Sequence, residues 1–194
     1  MERTSGTIIR LTRFSDSSVI VHWLTGSHGL VKTVVKGAFR AKSPFHGKLD
    51  LFFECEFLFQ RTRTGDLHYL REIVPRETRL ALRSNYGTTL LASYFCRLLE
   101  MTVEPEHPDM ALHDLLARAL AFLEKEPPRR RALLHFENEL ARLLGIASAP
   151  GGSGASGEVA LRGLIGKLPA AREELLERFS KVEEFRSSDS EIGE

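Results

Sequence analysis

Five basic residues, Lys32, Lys36, Arg40, Lys42 and Lys48, fall within 17 positions, and Asp50 is the nearest acid. Clustered cations of this kind neutralise the phosphates of a polyanion, and they do so without any covalent step. Gly37 and Gly47 punctuate the segment and let its backbone come close to a ligand. Lys32, Val34 and Lys36 alternate, which puts them on one face of a strand. Arg61, Arg63 and Arg71 add charge on a neighbouring hairpin. Phe39 and Phe45 lie inside the basic segment, where each either stacks on a base or folds back over the protein core.

Covalent chemistry has no comparable candidate. The chain contains no GxSxG, GxxxxGK[ST], HExxH or GxGxxG pattern. Its histidines, His22, His28, His46, His68, His107, His113 and His135, are scattered and form no zinc spacing with cysteine. Glu54 and Glu56 are two apart on a strand, which reads as a polar outer face rather than an acid/base pair. Cys55 and Cys96 sit far apart in apolar runs, as expected of two buried, reduced thiols. No metal or other cofactor is expected.

The composition, 42% hydrophobic and 27% charged over 194 residues, is that of a globular protein with one large or two small domains. No apolar run reaches the roughly 18 residues of a membrane span, and the N-terminus has no apolar leader segment, so a cytoplasmic protein is expected. The net charge of +1 conceals an asymmetry. Residues 1–79 carry thirteen Lys and Arg against eight Asp and Glu, a net +5. Residues 80–194 carry fourteen against eighteen, a net −4. A polyanion would therefore meet the first half.

The elements that must carry these residues change type near residue 75. Runs rich in β-formers at 6–13, 18–25, 30–36, 49–60 and 67–74 predict five strands, separated by turn signals such as Gly26-Ser27-His28-Gly29 and Thr64-Gly65-Asp66. Five short strands in about 75 residues suit a small closed barrel, the OB-fold pattern. In the 49–60 run, Phe53, Cys55, Phe57 and Phe59 share the core face, and Phe52, Glu54, Glu56 and Leu58 the other. After Pro75 the apolar period becomes helical. Helices are predicted from Tyr86 to Met101, from about Asp109, and after Pro127-Pro128 to Gly145. The expected fold is thus α+β: a five-stranded OB-fold β-barrel over residues 1–78, then an all-α helical bundle over 79–146. A flexible Gly/Ser linker over 147–157, a C-terminal helix over 158–186 packing on the bundle and a disordered acidic tail over 187–194 complete it.

Several segments resemble one family in order and spacing. They are Gly6-Thr-Ile-Ile-Arg-Leu-Thr-Arg-Phe-Ser-Asp-Ser, Val35-Lys-Gly-Ala-Phe-Arg-Ala-Lys-Ser, Leu67-His-Tyr-Leu-Arg-Glu and Phe136-Glu-Asn-Glu-Leu-Ala-Arg-Leu-Leu-Gly-Ile. Over about residues 4–146 the chain resembles the recombination mediator protein RecO. The resemblance implies a role in DNA repair: binding of single- and double-stranded DNA and annealing of complementary strands. It further implies partnership with RecR in loading the recombinase RecA, and contact with the C-terminal tail of single-stranded-DNA-binding protein. Many family members carry a four-cysteine zinc module where this chain has the Gly/Ser segment 150–157, so zinc is not expected. The residues expected to meet DNA are Lys32, Lys36, Arg40, Lys42, Lys48, Arg61, Arg63 and Arg71. The partner tail, acidic with an apolar end, needs an apolar pocket rimmed by cations, for which Arg129, Arg130, Arg131 and Arg142 are the candidates. The competing expectation is an OB-helical adaptor that works through protein–protein contacts and binds DNA weakly.

Overall fold

A computed structural model of the protein describes residues 1–147 and 156–191. Five strands, β1 (Glu2–Arg13), β2 (Val19–Thr25), β3 (Gly29–Val35), β4 (Glu54–Gln60) and β5 (Leu67–Glu77), close into a barrel in the order β1-β2-β3-β5-β4. The twelve-residue β1 serves two neighbours. Its first half pairs with β4 and its second with β2, and a bulge between Ile8 and Arg10 bends it from one to the other. The parallel seam between β3 and β5 is short, running only from Lys32–Leu67 to Val34–Tyr69.

Alternation fills the barrel. Val21, Trp23, Val31, Val35, Cys55, Phe57, Phe59, Leu70 and Ile73 point inward and are buried. Trp23 stacks on Phe57 with ring centres 4.0 Å apart and donates its indole N–H to Thr33 Oγ1 at 2.9 Å. Burial pushes the Cys55 thiol up to about 12, with the Glu54 charge adding to the shift, so it stays protonated.

The run expected to pair from residue 49 does so only from Glu54. Before it, Phe52 adopts φ +71°. Its N–H bonds to Ile8 O at 2.9 Å, and Ile8 N–H bonds to Phe53 O at 2.9 Å. This kink throws the Phe52 ring out of the barrel and into the helical core, where it is 1% exposed. The expectation that Phe52 shares the outer face of Glu54 and Glu56 fails, because the period-2 argument holds only for paired strand.

Residues Leu80–Arg83 make a short 3₁₀ turn into five helices: α1 (Tyr86–Thr102), α2 (Met110–Leu123), α3 (Arg130–Leu143), α4 (Gly157–Ile165) and α5 (Ala171–Glu191). Asn85 and Asp109 cap α1 and α2 by accepting two backbone N–H groups each. Gly145, at φ +70°, terminates α3, with Ile146 N–H reaching back to Ala141 O. The single helix expected over 158–186 is two, broken at Gly166–Ala170, and the backbone stays helical to Glu191 where a disordered tail was expected from 187. Most of the Gly/Ser segment 147–157 and residues 192–194 lie outside the described residues.

A buried ionic cluster ties α4 and α5 to the bundle. Glu137, 1% exposed, accepts the Tyr94 hydroxyl and a two-pronged contact from Arg172, at 2.7 and 3.1 Å. Arg172 also reaches Glu158 at 2.8 Å. The hydrogen bond to Glu137 raises the Arg172 guanidinium further above its ordinary value. Among the described residues, no helix is long and apolar enough to cross a membrane.

Candidate nucleic-acid interface

The segment after β3 coils through successive tight turns. Arg40, Ser43, His46 and Lys48 each donate a backbone N–H to the carbonyl three residues back. Gly37 and Gly47, both at φ +70°, let the chain reverse where a side chain would be strained. Ala38 is buried in the barrel, and Phe45 and Leu49 pack half-buried against its core. The loop is thereby anchored, while Phe39, Arg40 and Lys42 project. Phe39 is 59% exposed, and its N–H bonds to Ser17 O in the β1–β2 turn. That turn carries Phe14, itself 57% exposed. The two phenylalanines of the basic segment thus part company: Phe45 folds back and Phe39 faces solvent.

The eight expected cations fall into two sets. Lys36, Arg40, Lys42 and Lys48 follow β3, and Arg71 lies beside Lys36 on the neighbouring strand β5. None of these five makes an ion pair among the described residues. The remaining three are Lys32, in the middle of β3, and Arg61 and Arg63, in the β4–β5 turn. Lys32 Nζ meets Asp66 Oδ2 at 2.6 Å, and that hydrogen bond holds the Asp66 carboxyl below its usual range. Arg61 pairs with Glu2 at 2.6 Å and with Glu106. Arg63 is exposed and unpaired among the described residues. The turn acid Asp66 and the distant Glu2 and Glu106 cancel Lys32 and Arg61, which a count of local charge does not reveal.

Tyr69 enters this surface without having been expected there. Lys36 Nζ lies 5.4 Å from its ring centre and the Arg71 guanidinium carbon 5.6 Å from it. The tyrosine was legible only as one residue of a strand, because its value depends on the β3–β5 pairing.

Between the barrel and the helices, a cavity of about 340 Å³ is lined by Arg10, His22, Arg97 and Glu100 among others. Glu100 Oε1 lies 2.8 Å from Arg10 Nε and 3.0 Å from His22 Nδ1, and Oε2 lies 2.7 Å from Arg97. Burial alone would raise this carboxyl. The hydrogen bonds of His22 and Arg97, with the charge of Arg10, outweigh it and bring Glu100 down to about 2. Across the same junction His68 Nε2 hydrogen-bonds Glu106 at 3.0 Å, and the buried His113 Nε2 lies 3.4 Å from Glu54 without a hydrogen bond. Glu54 therefore faces the helices, while Glu56 pairs with Arg76 at 2.7 Å; the two do not act as a unit. Arg79 completes the junction. It is buried, sits at φ +45° and donates to Phe52 O at 3.3 Å.

Because Glu100 titrates near 4.5 when unfolded and near 2 when folded, its contribution is complete above about pH 4.5 and disappears as pH falls toward 2. The difference corresponds to roughly 3 kcal/mol. Urea unfolding of Glu100→Gln should show a deficit against the parent that is widest above pH 5 and closes toward pH 2. A deficit independent of pH would contradict the linkage.

A second cavity, about 550 Å³, opens between α1, α2 and α3. Phe95, Leu115, Phe122 and Phe136 supply apolar walls; Arg118, Arg129, Arg131 and His135 stand on its lining. Arg131 makes no ion pair among the described residues, and Arg129 has only a loose one, 3.9 Å from Glu126. Of the four arginines expected to line such a pocket, Arg130 does not, and Arg142, three turns beyond Arg131 along α3, does not either and is bound to Glu139 at 2.9 Å. Among the described residues, no group of three or more His, Cys, Asp or Glu side chains is arranged to hold a metal.

A closed barrel of order 1-2-3-5-4, with a cationic and aromatic loop after β3 and continued by a helical bundle, is an OB-fold protein with a fused α-helical domain. Residues 1–79 match the family model for the recombination protein O N terminal domain, and residues 83–149 that for its C terminal domain. The chain belongs to the RecO family. It is 29% identical over 142 residues to the DNA repair protein RecO of Rhodopirellula baltica, covering 73% of this chain and 53% of that one. It is likewise 29% identical over 147 residues to the DNA repair protein RecO of Syntrophus aciditrophicus, with 76% and 57% covered. Identity to the Listeria monocytogenes protein of the same name is 26% over 146 residues. The chain spans about half the length of the curated relatives it matches.

Proposed function

We propose that this chain is a cytoplasmic DNA repair and recombination mediator. It binds single- and double-stranded DNA, promotes annealing of complementary strands, and helps load the recombinase RecA together with a RecR-type protein. The observation that carries the reading is the set of cations without acidic partners, Lys36, Arg40, Lys42, Lys48 and Arg71. Lys36, Arg40, Lys42 and Lys48 belong to the loop that exposes Phe39, whose N–H bonds to the turn carrying the exposed Phe14, and Arg71 lies beside Lys36 at the Tyr69 ring. Such a surface neutralises phosphates, offers rings on which unpaired bases stack, and leaves base edges free to pair. Annealing needs no catalytic residue, only two backbones held close together with their mutual repulsion reduced. The net +5 of residues 1–79 supports the same assignment. Titration of labelled single-stranded DNA at two salt concentrations is the test. Tight binding that collapses with salt is expected; weak, salt-insensitive binding would favour an adaptor acting mainly through proteins.

The helical cavity is proposed as the seat for the C-terminal tail of single-stranded-DNA-binding protein. Its walls suit the apolar end of an acidic peptide, and Arg129 and Arg131 suit the terminal carboxylate. Fluorescence anisotropy with the labelled tail peptide should show binding weakened at least about tenfold by Arg129→Ala/Arg131→Ala, the loss of one or two charge-assisted hydrogen bonds. Arg130→Ala/Arg142→Ala, which leaves the cavity lining intact, should bind as the parent does. The reverse pattern would move the seat elsewhere.

A further inference from the structure

The barrel surface pairs most of its cations with acids. Arg3 meets Glu72, Arg10 meets Glu100, Lys32 meets Asp66, Arg61 meets Glu2, and Arg76 meets Glu56. Lys36 and Arg71 are treated differently: both are held by neutral groups. The Tyr69 ring lies 5.4 Å from Lys36 Nζ and 5.6 Å from the Arg71 guanidinium carbon. Gln60 Oε1 accepts from Arg71 Nε at 3.1 Å and from Nη2 at 2.5 Å. An aromatic face and an amide oxygen fix a cation in place without cancelling its charge. Two like charges gathered at one ring repel each other, and an anion between or beside them removes that cost. The arrangement spans the barrel's seam. Val34 of β3 is the register partner of Tyr69 of β5, so Lys36 and Arg71 lie side by side just past the last rung.

We propose that Lys36, Tyr69, Arg71 and Gln60 form a phosphodiester seat across the β3–β5 seam, in which Tyr69 is the positioning residue for both cations. This inference rests on the nucleic-acid reading above and deepens it. The seat takes adjacent backbone phosphates of one strand. The tyrosine acts through its ring and not through its hydroxyl, since a cation over the ring face is attracted by the ring quadrupole.

The test compares the parent with Tyr69→Leu, Tyr69→Phe and Lys36→Ala/Arg71→Ala, using labelled oligothymidylate across a salt series and inorganic phosphate as competitor. Lys36→Ala/Arg71→Ala should flatten the slope of log affinity against log salt by about 1.4, two single-strand phosphates at about 0.7 each. Tyr69→Leu should weaken binding about fivefold and flatten the slope in the same direction, the loss expected for one to two cation–ring contacts. Tyr69→Phe should bind within about twofold of the parent, since the aromatic face is kept. In the free protein, the Lys36 ε-methylene proton signals should be shifted upfield by the ring in the parent and in Tyr69→Phe, and return to ordinary positions in Tyr69→Leu. A parent that binds the oligonucleotide while Tyr69→Leu matches it in affinity and slope overturns the seat alone. A parent that binds no single strand, with the upfield shift present, overturns the nucleic-acid reading and the seat with it. Displacement of the oligonucleotide by inorganic phosphate at equal phosphate concentration overturns the phosphodiester assignment in favour of a free-phosphate site.

Discussion

Replacing Arg172 with alanine should destabilise the protein by about 3–5 kcal/mol, the usual cost of stranding one member of a buried ion pair. Glu137 is 1% exposed and would keep only the Tyr94 hydroxyl as a partner. A chain of this size typically has roughly 5–15 kcal/mol in total, so the loss is a large share. At about 2–4 °C per kcal/mol, the thermal midpoint should fall on the order of 10 °C. The effect arises from the uncompensated carboxylate rather than from lost attraction. Accordingly, Tyr94→Phe/Glu137→Leu/Arg172→Met, which removes the three buried polar members together and leaves the partly exposed Glu158 its pair with Arg162, should recover most of the stability. A midpoint within about 1 °C of the parent for Arg172→Ala would show that Glu137 is not held as described. Because Arg172 lies on α5 and Glu158 on α4, protection of these two helices from proteolysis should fall along with global stability.

The second large effect is on binding. Lys36→Ala/Arg40→Ala/Lys42→Ala should reduce the salt slope of single-strand binding by about 2, at about 0.7 per phosphate contact. At 0.1 M salt each such contact contributes about fivefold through counterion release, so the triple variant should bind on the order of 100-fold more weakly. Lys32→Ala provides the contrast. Its charge is already matched by Asp66, so its removal should change the slope by well under one contact. Equal losses for Lys32→Ala and for any one of the three loop residues would mean that ion pairing does not decide which cations are available.

Order and type of elements were readable from the chain because each rests on local information. Alternation marks β2 and β3, period 3.6 marks α1 to α3, and Asn85, Asp109, Pro127-Pro128 and Gly145 mark helix ends. The places that resisted reading depend on partners distant in sequence. Phe52 looks like a strand residue until its N–H bond to Ile8 and its φ of +71° turn it into the helical core. Arg79 resembles any surface arginine at a domain boundary, yet it is buried under Glu77 and Phe52 O. In the site, clustering singled out the cations of the loop after β3 but could not separate Lys36 from Lys32, four residues earlier. Asp66 makes that difference from across the parallel seam. Arg130 and Arg131 are adjacent in sequence, and only Arg131 lines the cavity, because successive helical residues point about 100° apart.

The short β3–β5 seam also imposes an order in time. β1, β2 and β3 are joined by tight local turns and can pair as soon as they exist. The free edge of β3 must then wait until β4 has been made and β5 has threaded between the two, a closure across more than thirty residues. Throughout that wait, Val31, Thr33 and Val35 present an unfinished edge, the kind of surface on which nascent chains cross-pair. Lys32 lies within that edge and Lys36 just past its end. The cations at the two ends of the seam therefore bear on the barrel before it is finished: charges on a waiting edge oppose its pairing with another chain until β5 arrives.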